Sequence, residues 1–487
     1  MTMGAMKILL VRPPSIMKQE HSHALQHPIN LCLLAAAARL DGFQPEIIDL
    51  ESEPLSNNEF AKRIASAGAK IIGYTAMTPT VDSAAALASI SKQACPEAIT
   101  AIGGAHASIL ARETLIKYPQ FDAAVRGEGE NSFVQLCRAV EQGRFGDSAV
   151  EGGALSVNGE ILEGGAPEKL VDLDNLPLPA RDLLRMESYR GSPTPGLPGG
   201  VYKATQLFTA RGCAGRCVFC CSEHVFGRNV RHRPTQKVIE EALDCVERYG
   251  VNHFTIDNDT FTHDREKALE FCECMMRVDA TWDCDTRVDR VDEELLRRMA
   301  DSGCVKVAFG VETGNPRILK LIKKGITLEQ AMKAFEWTRK AGMMSCAFFM
   351  VGNHPEETES DIGDTRSFIR ALEPDLITVA IASPYPSSEL NIMMKEAGLL
   401  EDNLEWSDFG RSFQGDSITR TKTVSAKRLQ ELQSRILREF YMRPGYILRR
   451  LRRLRNPREV AYWFKAGLQF AGYIIKRKTH KNGVVID

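Results

Sequence analysis

The sequence consists of two successive alternations of β-rich and helical segments, and this pattern restricts the fold more than any other feature. In the first alternation a helical stretch follows each of the segments KILLV, PEIIDL, KIIGYT, AITAIGG and DAAVRGEGE. Strands that alternate with helices across short loops form a parallel sheet with helices on both faces. We therefore predict a five-stranded, doubly wound, Rossmann-like α/β domain over residues 1–142. Its ligand should lie at the carboxyl ends of the strands.

A second alternation begins at Ala204, after a stretch that is rich in Gly, Pro and Asp. Its six β-rich segments, within about 190 residues, are QLFTARGC, HFTIDND, TWDCDTR, VKVAFGVE, MMSCAFFMVG and DLITVAIASPYP. Six strand–helix units favour a partial (β/α)6 TIM barrel over residues 204–400, with the chemistry at the carboxyl ends of its strands. Residues 143–203 are predicted to form a hairpin and a linker, and residues 401–487 a helical extension with a basic tail.

Composition restricts the class of protein. The chain has 487 residues, of which 44% are hydrophobic and 26% charged, and its net charge of -1 provides no overall attraction to nucleic acid. Because no apolar run of about 18 residues and no signal peptide is visible, we expect a cytoplasmic protein. Its thirteen cysteines should then be reduced thiols, and their number favours a metal site.

Three of these cysteines, Cys213, Cys217 and Cys220, follow the strand QLFTA with the spacing C-x3-C-x2-C. Thiolates are the ligands that iron–sulfur clusters prefer, and three of them leave one iron open. An open iron can chelate the amino and carboxylate groups of S-adenosylmethionine (SAM), and an electron from the cluster then cleaves the sulfonium to a 5'-deoxyadenosyl radical. The alternatives are incidental cysteines or a zinc site completed by His224. Cys221 is expected to pack near the cluster rather than to bind it.

The same motif, with Gly212 before it and Phe219 before its last cysteine, resembles that of the radical SAM superfamily. The resemblance implies a [4Fe-4S] cluster on Cys213, Cys217 and Cys220, which are then also the catalytic residues. It also implies an external electron donor such as flavodoxin or ferredoxin.

Four later strand ends fit a SAM site in such an enzyme. IDNDTF resembles the place where the superfamily contacts the methionine amino group, which implicates Asp257 and Asp259. Arg287 in DTRVD suits a carboxylate, and Glu312 in FGVETG suits the ribose hydroxyls. Gly352 would let the backbone approach the adenine. The alternatives are a solvated turn for the aspartates and a surface salt bridge for Arg287.

The N-terminal segment, taken with the barrel, resembles the B12-binding half of cobalamin-dependent radical SAM enzymes, and the resemblance covers about residues 6–400. It depends on His27-Pro28 and on the segments IIDLE, GYTAMTPT, AIGGAHAS and VRGEGENSF. The sequence lacks the Asp-x-His-x-x-Gly motif, so the first loop provides no lower imidazole ligand for cobalt. His106 is expected at the corrinoid edge rather than on the metal. The residues implied for cobalamin are Thr78, Gly103, Gly104, His106, Gly127 and Glu128. The alternative is a domain that has lost its B12.

These cofactors imply methylation of an unactivated carbon in a small or lipid-like substrate. The first alternative is cyclisation or oxidation with the same cofactors, as in the anaerobic porphyrin ring cyclase that the architecture also resembles. The second is a non-catalytic carrier of an iron–sulfur cluster or a corrinoid.

The C-terminal tail is basic and interleaved with apolar residues from Ile436 onward. Such a segment can lie on an anionic membrane, which implies peripheral contact with the inner face of the membrane. The alternative is a solvated face on a helix that packs against the barrel. The residues concerned are Arg449, Arg450, Arg452, Arg453, Arg455, Leu448, Leu451 and Leu454.

Overall fold

The computed structural model describes residues 5–14, 26–166, 170–189, 203–414 and 416–453. These residues form two large β-sheets, each covered by helices, a short two-stranded sheet and a helical C-terminal extension. Among the described residues, no helix combines the length and the apolar character that a membrane span requires.

The first sheet contains the five predicted parallel strands and, at one edge, an antiparallel hairpin. The strands are β1 (Lys7–Arg12), β2 (Gln44–Asp49), β3 (Ile71–Thr75), β4 (Ile99–Gly103), β5 (Ala123–Val125), β6 (Gly153–Val157) and β7 (Glu160–Glu163). Their order in the sheet is β2-β1-β3-β4-β5-β6-β7. Ala123 pairs with Leu155, so the hairpin that the sequence assigned to the linker extends the sheet beyond residue 142 and covers the short strand β5.

Helices cover both faces of this sheet, as the predicted doubly wound fold requires. Successive side chains of a strand point to opposite faces, and in β1 Leu9 and Val11 enter one hydrophobic core whereas Ile8 and Leu10 enter the other. The helices are α1 (Ile29–Leu40), α2 (Asn57–Ala67), α3 (Val81–Ala94), α4 (Ala105–Lys117) and α5 (Gly129–Glu141).

The second sheet is an open, all-parallel sheet of six strands, which confirms the predicted partial barrel. The remaining strands of the chain are β8 (Ala204–Leu207), β9 (Ala210–Arg211), β10 (Arg231–His232), β11 (His253–Ile256), β12 (Thr281–Thr286), β13 (Cys304–Glu312), β14 (Met344–Val351) and β15 (Leu376–Ile381). The order in the second sheet is β15-β14-β13-β12-β11-β8, and β9 and β10 form a short antiparallel pair outside it.

The two faces of the second sheet differ in polarity. Phe254, Trp282 and Phe309 are buried in the core beneath the surrounding helices. Because side chains alternate along a strand, Asp285 and Lys306 face the opposite, concave side. The helices are α6 (Glu223–Phe226), α7 (Thr235–Tyr249), α8 (Arg265–Met275), α9 (Glu293–Asp301), α10 (Pro316–Leu321), α11 (Leu328–Lys340), α12 (Glu359–Leu372), α13 (Glu389–Glu396), α14 (Ala426–Tyr441) and α15 (Pro444–Arg453).

The extension covers the free edge of β15. The Gln433 side chain donates to Val379 O at 2.7 Å, and the Tyr441 hydroxyl both accepts from Ile377 N at 3.1 Å and donates to Ile377 O at 2.7 Å. Phe440 of the same helix is buried in the barrel core. An exposed strand edge invites pairing with another chain, and α14 satisfies part of this one.

Candidate active site

The cysteine loop begins immediately after β9, and its first turn requires glycine. Gly212 has φ +98°, and a Cβ at this position would lie 2.4 Å from Asn229 O. A side chain is therefore excluded both by backbone conformation and by space. The Cys213 amide then donates to Gly227 O at 3.3 Å, which ties the loop to the end of α6.

The three predicted cluster ligands lie together on this loop. The Gly215 and Ser222 amides donate to the sulfurs of Cys213 and Cys220, each at 3.4 Å. A Cβ on Gly215 would lie 3.3 Å from the Cys213 sulfur and 3.9 Å from that of Cys217. Hydrogen bonds to sulfur are among the features that tune an iron–sulfur cluster. The donor set therefore fits such a cluster.

Burial raises the pKa of the Cys217 thiol, and that of Cys220 to about 11. At Cys217 the nearby charges of Lys324 and Arg287 act in the opposite direction and lower the pKa. Without a metal these thiols are therefore protonated at neutral pH, so that metal binding must release their protons. Among the described residues, no three His, Cys, Asp or Glu side chains are placed to hold a single metal ion.

Arg287, predicted from the end of β12, lies beside the cysteine loop. Its Nη1 would be 3.9 Å from a Cβ on Gly215. Its Nε lies 2.8 Å from Asp289 Oδ1, and its Nη2 donates to Lys324 O at 2.8 Å. The guanidinium is therefore fixed in place and adds positive charge next to the thiols.

Glu312, predicted from the end of β13, forms a buried ion pair with Lys324, a residue that the sequence reasoning missed. Lys324 Nζ lies 2.7 Å from Glu312 Oε1. Glu312 has φ +70°, a conformation that is costly for a residue other than glycine, and it lies at a register shift between β13 and β14. Gly310 leaves room for the pair, because a Cβ at this position would lie 2.7 Å from Glu312 Oε1 and 2.7 Å from Lys324 Nζ. The fold thus holds this carboxylate in one position. The only sequence signal for Lys324 is the charged turn before Gly325.

Asp257 and Asp259 follow β11 and join it to neighbouring segments. Asp257 Oδ2 accepts from the Gln206 side chain at 3.1 Å. The Ser222 hydroxyl donates to the Asp259 carboxylate, whose two oxygens lie 2.8 and 2.7 Å away. Burial and the nearby Asp259 raise the pKa of Asp257. Two carboxylates therefore lie at the mouth of the barrel, one of them bonded to the residue that also contacts the Cys220 sulfur.

Gly352 lies apart from these residues. It has φ +74°, and its Cβ would lie 3.0 Å from Leu429 Cδ1 and 3.2 Å from Thr419 Cγ2. Packing of the C-terminal extension therefore explains the glycine, and the structure provides no separate reason for an approach to adenine.

Asp285 is a further carboxylate on the concave side of the barrel that the sequence reasoning did not select. Its side chain is accessible from the open interior of the barrel but is surrounded by protein on its other sides, and its charged neighbours are Lys306, Asp283 and Asp257. Burial raises its pKa to about 6. The alternation of aspartates in TWDCDT, within a predicted strand, was the available signal.

A cavity of about 1260 Å³ lies between the carboxyl ends of the two sheets. Pockets for drug-sized ligands are about 300–1,000 Å³, so this cavity suits a larger molecule. Its wall contains apolar side chains and glycine backbone, and Asp257 and Asp259 border it on the barrel side. The space and the glycine-rich wall fit a corrinoid. Four residues predicted for cobalamin line this cavity: Gly103, Gly104, Gly127 and Glu128.

The structure corrects the expectation for the other two residues, Thr78 and His106, which do not line the cavity. His106 Nδ1 lies 3.1 Å from Thr78 Oγ1, and its ring packs against Trp406 with centroids 4.5 Å apart. Burial lowers the pKa of His106 to about 4. The neutral imidazole therefore joins the first domain to the extension. A motif-based assignment cannot foresee a contact with a residue 300 positions away.

Glu128 also forms contacts outside the cavity. Its carboxylate pairs with Arg231 of the second domain and accepts from Val171 N at 3.2 Å. His27, which the sequence reasoning did not select as a site residue, also lines the cavity and bonds through Nε2 to Thr205 of β8. The cavity is therefore enclosed by contacts between the two domains.

Comparison with known proteins agrees with this geometry. A family model described as the radical SAM superfamily matches residues 207–369, and one described as a B12 binding domain matches residues 21–137. An uncharacterized methyltransferase of Pyrococcus horikoshii is 31% identical over 451 residues, or 92% of this chain and 95% of that protein.

Two further similarities concern the alternative activity and the fold. The anaerobic magnesium-protoporphyrin IX monomethyl ester cyclase of Rubrivivax gelatinosus is 30% identical, over 86% of this chain and 74% of the cyclase. The solved structure of OxsB, a cobalamin-dependent S-adenosylmethionine radical enzyme, matches with a TM-score of 0.74 and 16% identity, over 94% of this chain and 70% of OxsB. The latter shows a shared fold.

Proposed function

Because this chain belongs to the family of cobalamin-binding radical SAM enzymes, we propose that it methylates an unactivated carbon of a small-molecule substrate. One observation carries the proposal: a single large cavity extends from the glycine-rich loops of the B12-binding domain to Asp259, whose hydrogen-bond partner Ser222 also contacts the Cys220 sulfur. The relative from P. horikoshii, a methyltransferase by name, covers nearly the whole chain and supports methylation over cyclisation.

The chain's own residues hold and shield the reacting groups. When bound, the cluster and SAM supply a 5'-deoxyadenosyl radical that removes a substrate hydrogen atom, and cobalamin supplies a methyl group. In this proposal Cys213, Cys217 and Cys220 hold the cluster, and Arg287 and Lys324 offset the negative charge of their thiolates. Enclosure between the two domains excludes water from the radical.

The strand ends orient SAM in the same proposal. Asp257 and Asp259 accept hydrogen bonds from its ammonium group, and Glu312 accepts them from its ribose. Lys324 orients the Glu312 carboxylate through their buried ion pair. Asp285 and Lys306 lie behind Asp257 on the concave side of the barrel sheet, which supports a substrate with a polar group on this side.

The test is product analysis with anaerobically reconstituted protein, a reductant and candidate substrates. We expect 5'-deoxyadenosine together with a product heavier by one CH2, and two SAM molecules consumed per methylation. Loss of hydrogen atoms or gain of oxygen in the product would replace methylation by the cyclase alternative. Absence of 5'-deoxyadenosine with every substrate would favour a non-catalytic carrier.

We further propose that an external electron donor, such as flavodoxin or ferredoxin, supplies the electron.

We also propose that the basic tail contacts an anionic membrane from the cytoplasm. In the described part of the tail, Ile447 and Leu448 are exposed, and Arg449 lies 3.2 Å from Glu373. Arg455 and Leu454 lie outside the described residues. Exposed apolar side chains among basic ones are typical of membrane-surface helices.

Charge-neutral variants test the membrane contact better than a truncation, because deletion after Ile436 would remove Phe440 from the barrel core. Replacing Arg449, Arg450, Arg452 and Arg453 with Gln should abolish flotation with anionic vesicles while enzyme turnover stays at the wild-type level. The wild-type protein should also fail to float with neutral vesicles. No flotation of the wild type with anionic vesicles at low salt would contradict the proposal.

A further inference from the structure

A buried group of ion pairs joins the two domains next to the cavity. We call it the clasp, and it consists of Arg211 and Arg231 of the second domain with Glu128 and Glu130 of the first. Arg211 Nη2 lies 2.5 Å from Glu130 Oε1, and Arg211 Nη1 lies 3.7 Å from Glu128 Oε2. Arg231 pairs with Glu128. The side chains of Arg211 and Glu130 are each only 8% exposed, so both charges depend on the opposite domain for compensation.

Local structure places like charges together on each side of the clasp. Arg211 and Arg231 are directly opposite each other in the antiparallel pair β9–β10, which puts their side chains on the same face. Glu128 and Glu130 lie at the start of α5, where the helix dipole favours negative charge. The repulsion within each pair is relieved only when the two domains meet.

Both sides of the clasp are directly continuous with the proposed active site. Arg211 is followed by Gly212 and Cys213, so its side chain fixes the start of the loop that carries the cluster ligands. Glu128 follows Gly127, which lines the cavity, and a Cβ on Gly127 would lie 3.3 Å from Val225 O of the second domain. The clasp therefore connects the cysteine loop to the loop that encloses the cavity.

Further contacts restrict the orientation of the Arg211 and Arg231 guanidinium groups. The Arg211 guanidinium carbon lies 5.0 Å from the centre of the Phe208 ring and 5.5 Å from that of Phe226, in cation–π contact. Arg231 in addition donates to Val171 O at 2.9 Å. These contacts leave each guanidinium one arrangement in which it can reach its carboxylate.

We propose that the clasp is a positioning device that sets the distance between the cluster loop and the cobalamin cavity, with Arg211 and Glu130 as its central positioning residues. The inference rests on the proposed function, because it concerns how methyl transfer is coupled to SAM cleavage. In the proposed function the residues that bind the cluster and SAM lie on the second domain, so SAM cleavage needs only that domain. Methyl transfer also needs the cobalamin site of the first domain at a fixed distance from them. Loosening the clasp should therefore uncouple the two reactions.

The principal variant is Glu130→Asp, which keeps the charge but withdraws the carboxylate by one methylene. We expect SAM cleavage within about twofold of wild type and a ratio of 5'-deoxyadenosine to methylated product that rises at least about tenfold, since a shift of about 1 Å can cost a hundredfold in rate. Glu163→Asp is the matched control, because Glu163 pairs with Arg112 and Arg126 inside the first domain and is more exposed. Its product ratio should stay at the wild-type value.

Hydrogen exchange on the full chain provides a readout that does not depend on activity. In Glu130→Asp, exchange should rise in both residues 123–132 and residues 204–215, and in the control it should not. Increased exchange with an unchanged product ratio would overturn the inference, since the clasp would then only stabilise the fold. Unchanged exchange would also overturn it. If Glu130→Asp does not fold, Glu130→Gln replaces it as the test, because it keeps the length of the side chain and removes the charge that pairs with Arg211. This variant should show the raised ratio, and a wild-type ratio in it would overturn the inference. If wild type makes no methylated product, the proposed function fails, whereas the exchange result still tests the clasp.

Discussion

Lys324 Nζ lies 2.7 Å from Glu312 Oε1, and both side chains are buried beside the cysteine loop. The pair joins the end of β13 to the turn after α10. Glu312 holds its position with a positive φ, and Gly310 provides the space. The carboxylate that we propose binds SAM is thus held before SAM arrives, which is the general route to a preorganised site.

Removing one partner of this pair should destabilise the protein. Lys324→Met leaves the Glu312 carboxylate buried without a counterion, which costs about 3–5 kcal/mol. The free energy of unfolding of the apoprotein, measured with urea, checks this value. Because apolar replacement of a whole buried pair is often neutral, Lys324→Met with Glu312→Gln should regain most of the loss. A single variant as stable as wild type would show that the pair is not formed.

The variant Gly352→Ala distinguishes a packing role of this glycine from a role in the approach of its backbone to SAM. Gly352→Ala puts a side chain at φ +74°, 3.0 Å from Leu429 Cδ1, and should cost about 1–2 kcal/mol of stability through the left-handed conformation alone. SAM affinity of the reconstituted protein, measured by calorimetry, should remain within about twofold of wild type. A variant of normal stability with weakened SAM binding would instead favour the approach of this backbone to adenine.

Asp285 should make stability depend on pH. Burial raises its pKa to about 6 in the folded chain, above the unfolded value near 4. Between these two values the folded state binds more protons than the unfolded state, so this residue lowers stability as pH rises from about 4 to 6. Asp285→Asn should therefore be more stable than wild type at pH 7.5 and similar to it at pH 4. Urea midpoints at both pH values provide the check, and equal differences at both would contradict the shift.

The features that could be predicted from the sequence are those that depend on residues close together in the chain. The strands around Leu9 and Phe309 have local hydrophobic signatures, and Cys213, Cys217 and Cys220 lie within one loop, so their proximity follows from spacing alone. Contacts beyond the local pattern were not accessible. Glu130 meets Arg211 across 81 positions, and Glu312, at a register shift between β13 and β14, pairs with Lys324 on the far side of α10. His106 was placed by its motif, although Trp406 determines its environment.

Iron and cobalamin contents test most directly whether Cys213, Cys217 and Cys220 hold an iron–sulfur cluster beside a cobalamin site. Iron and cobalamin should be quantified together after anaerobic reconstitution of wild type, Cys217→Ala and, as the adjacent control, Cys221→Ala. We expect about four irons and one cobalamin per wild-type chain and per Cys221→Ala chain. Cys217→Ala should lose most of its iron and keep its cobalamin. Equal iron in Cys217→Ala and wild type would contradict the proposed cluster ligands, and absence of cobalamin from the wild type would contradict the proposed cobalamin site.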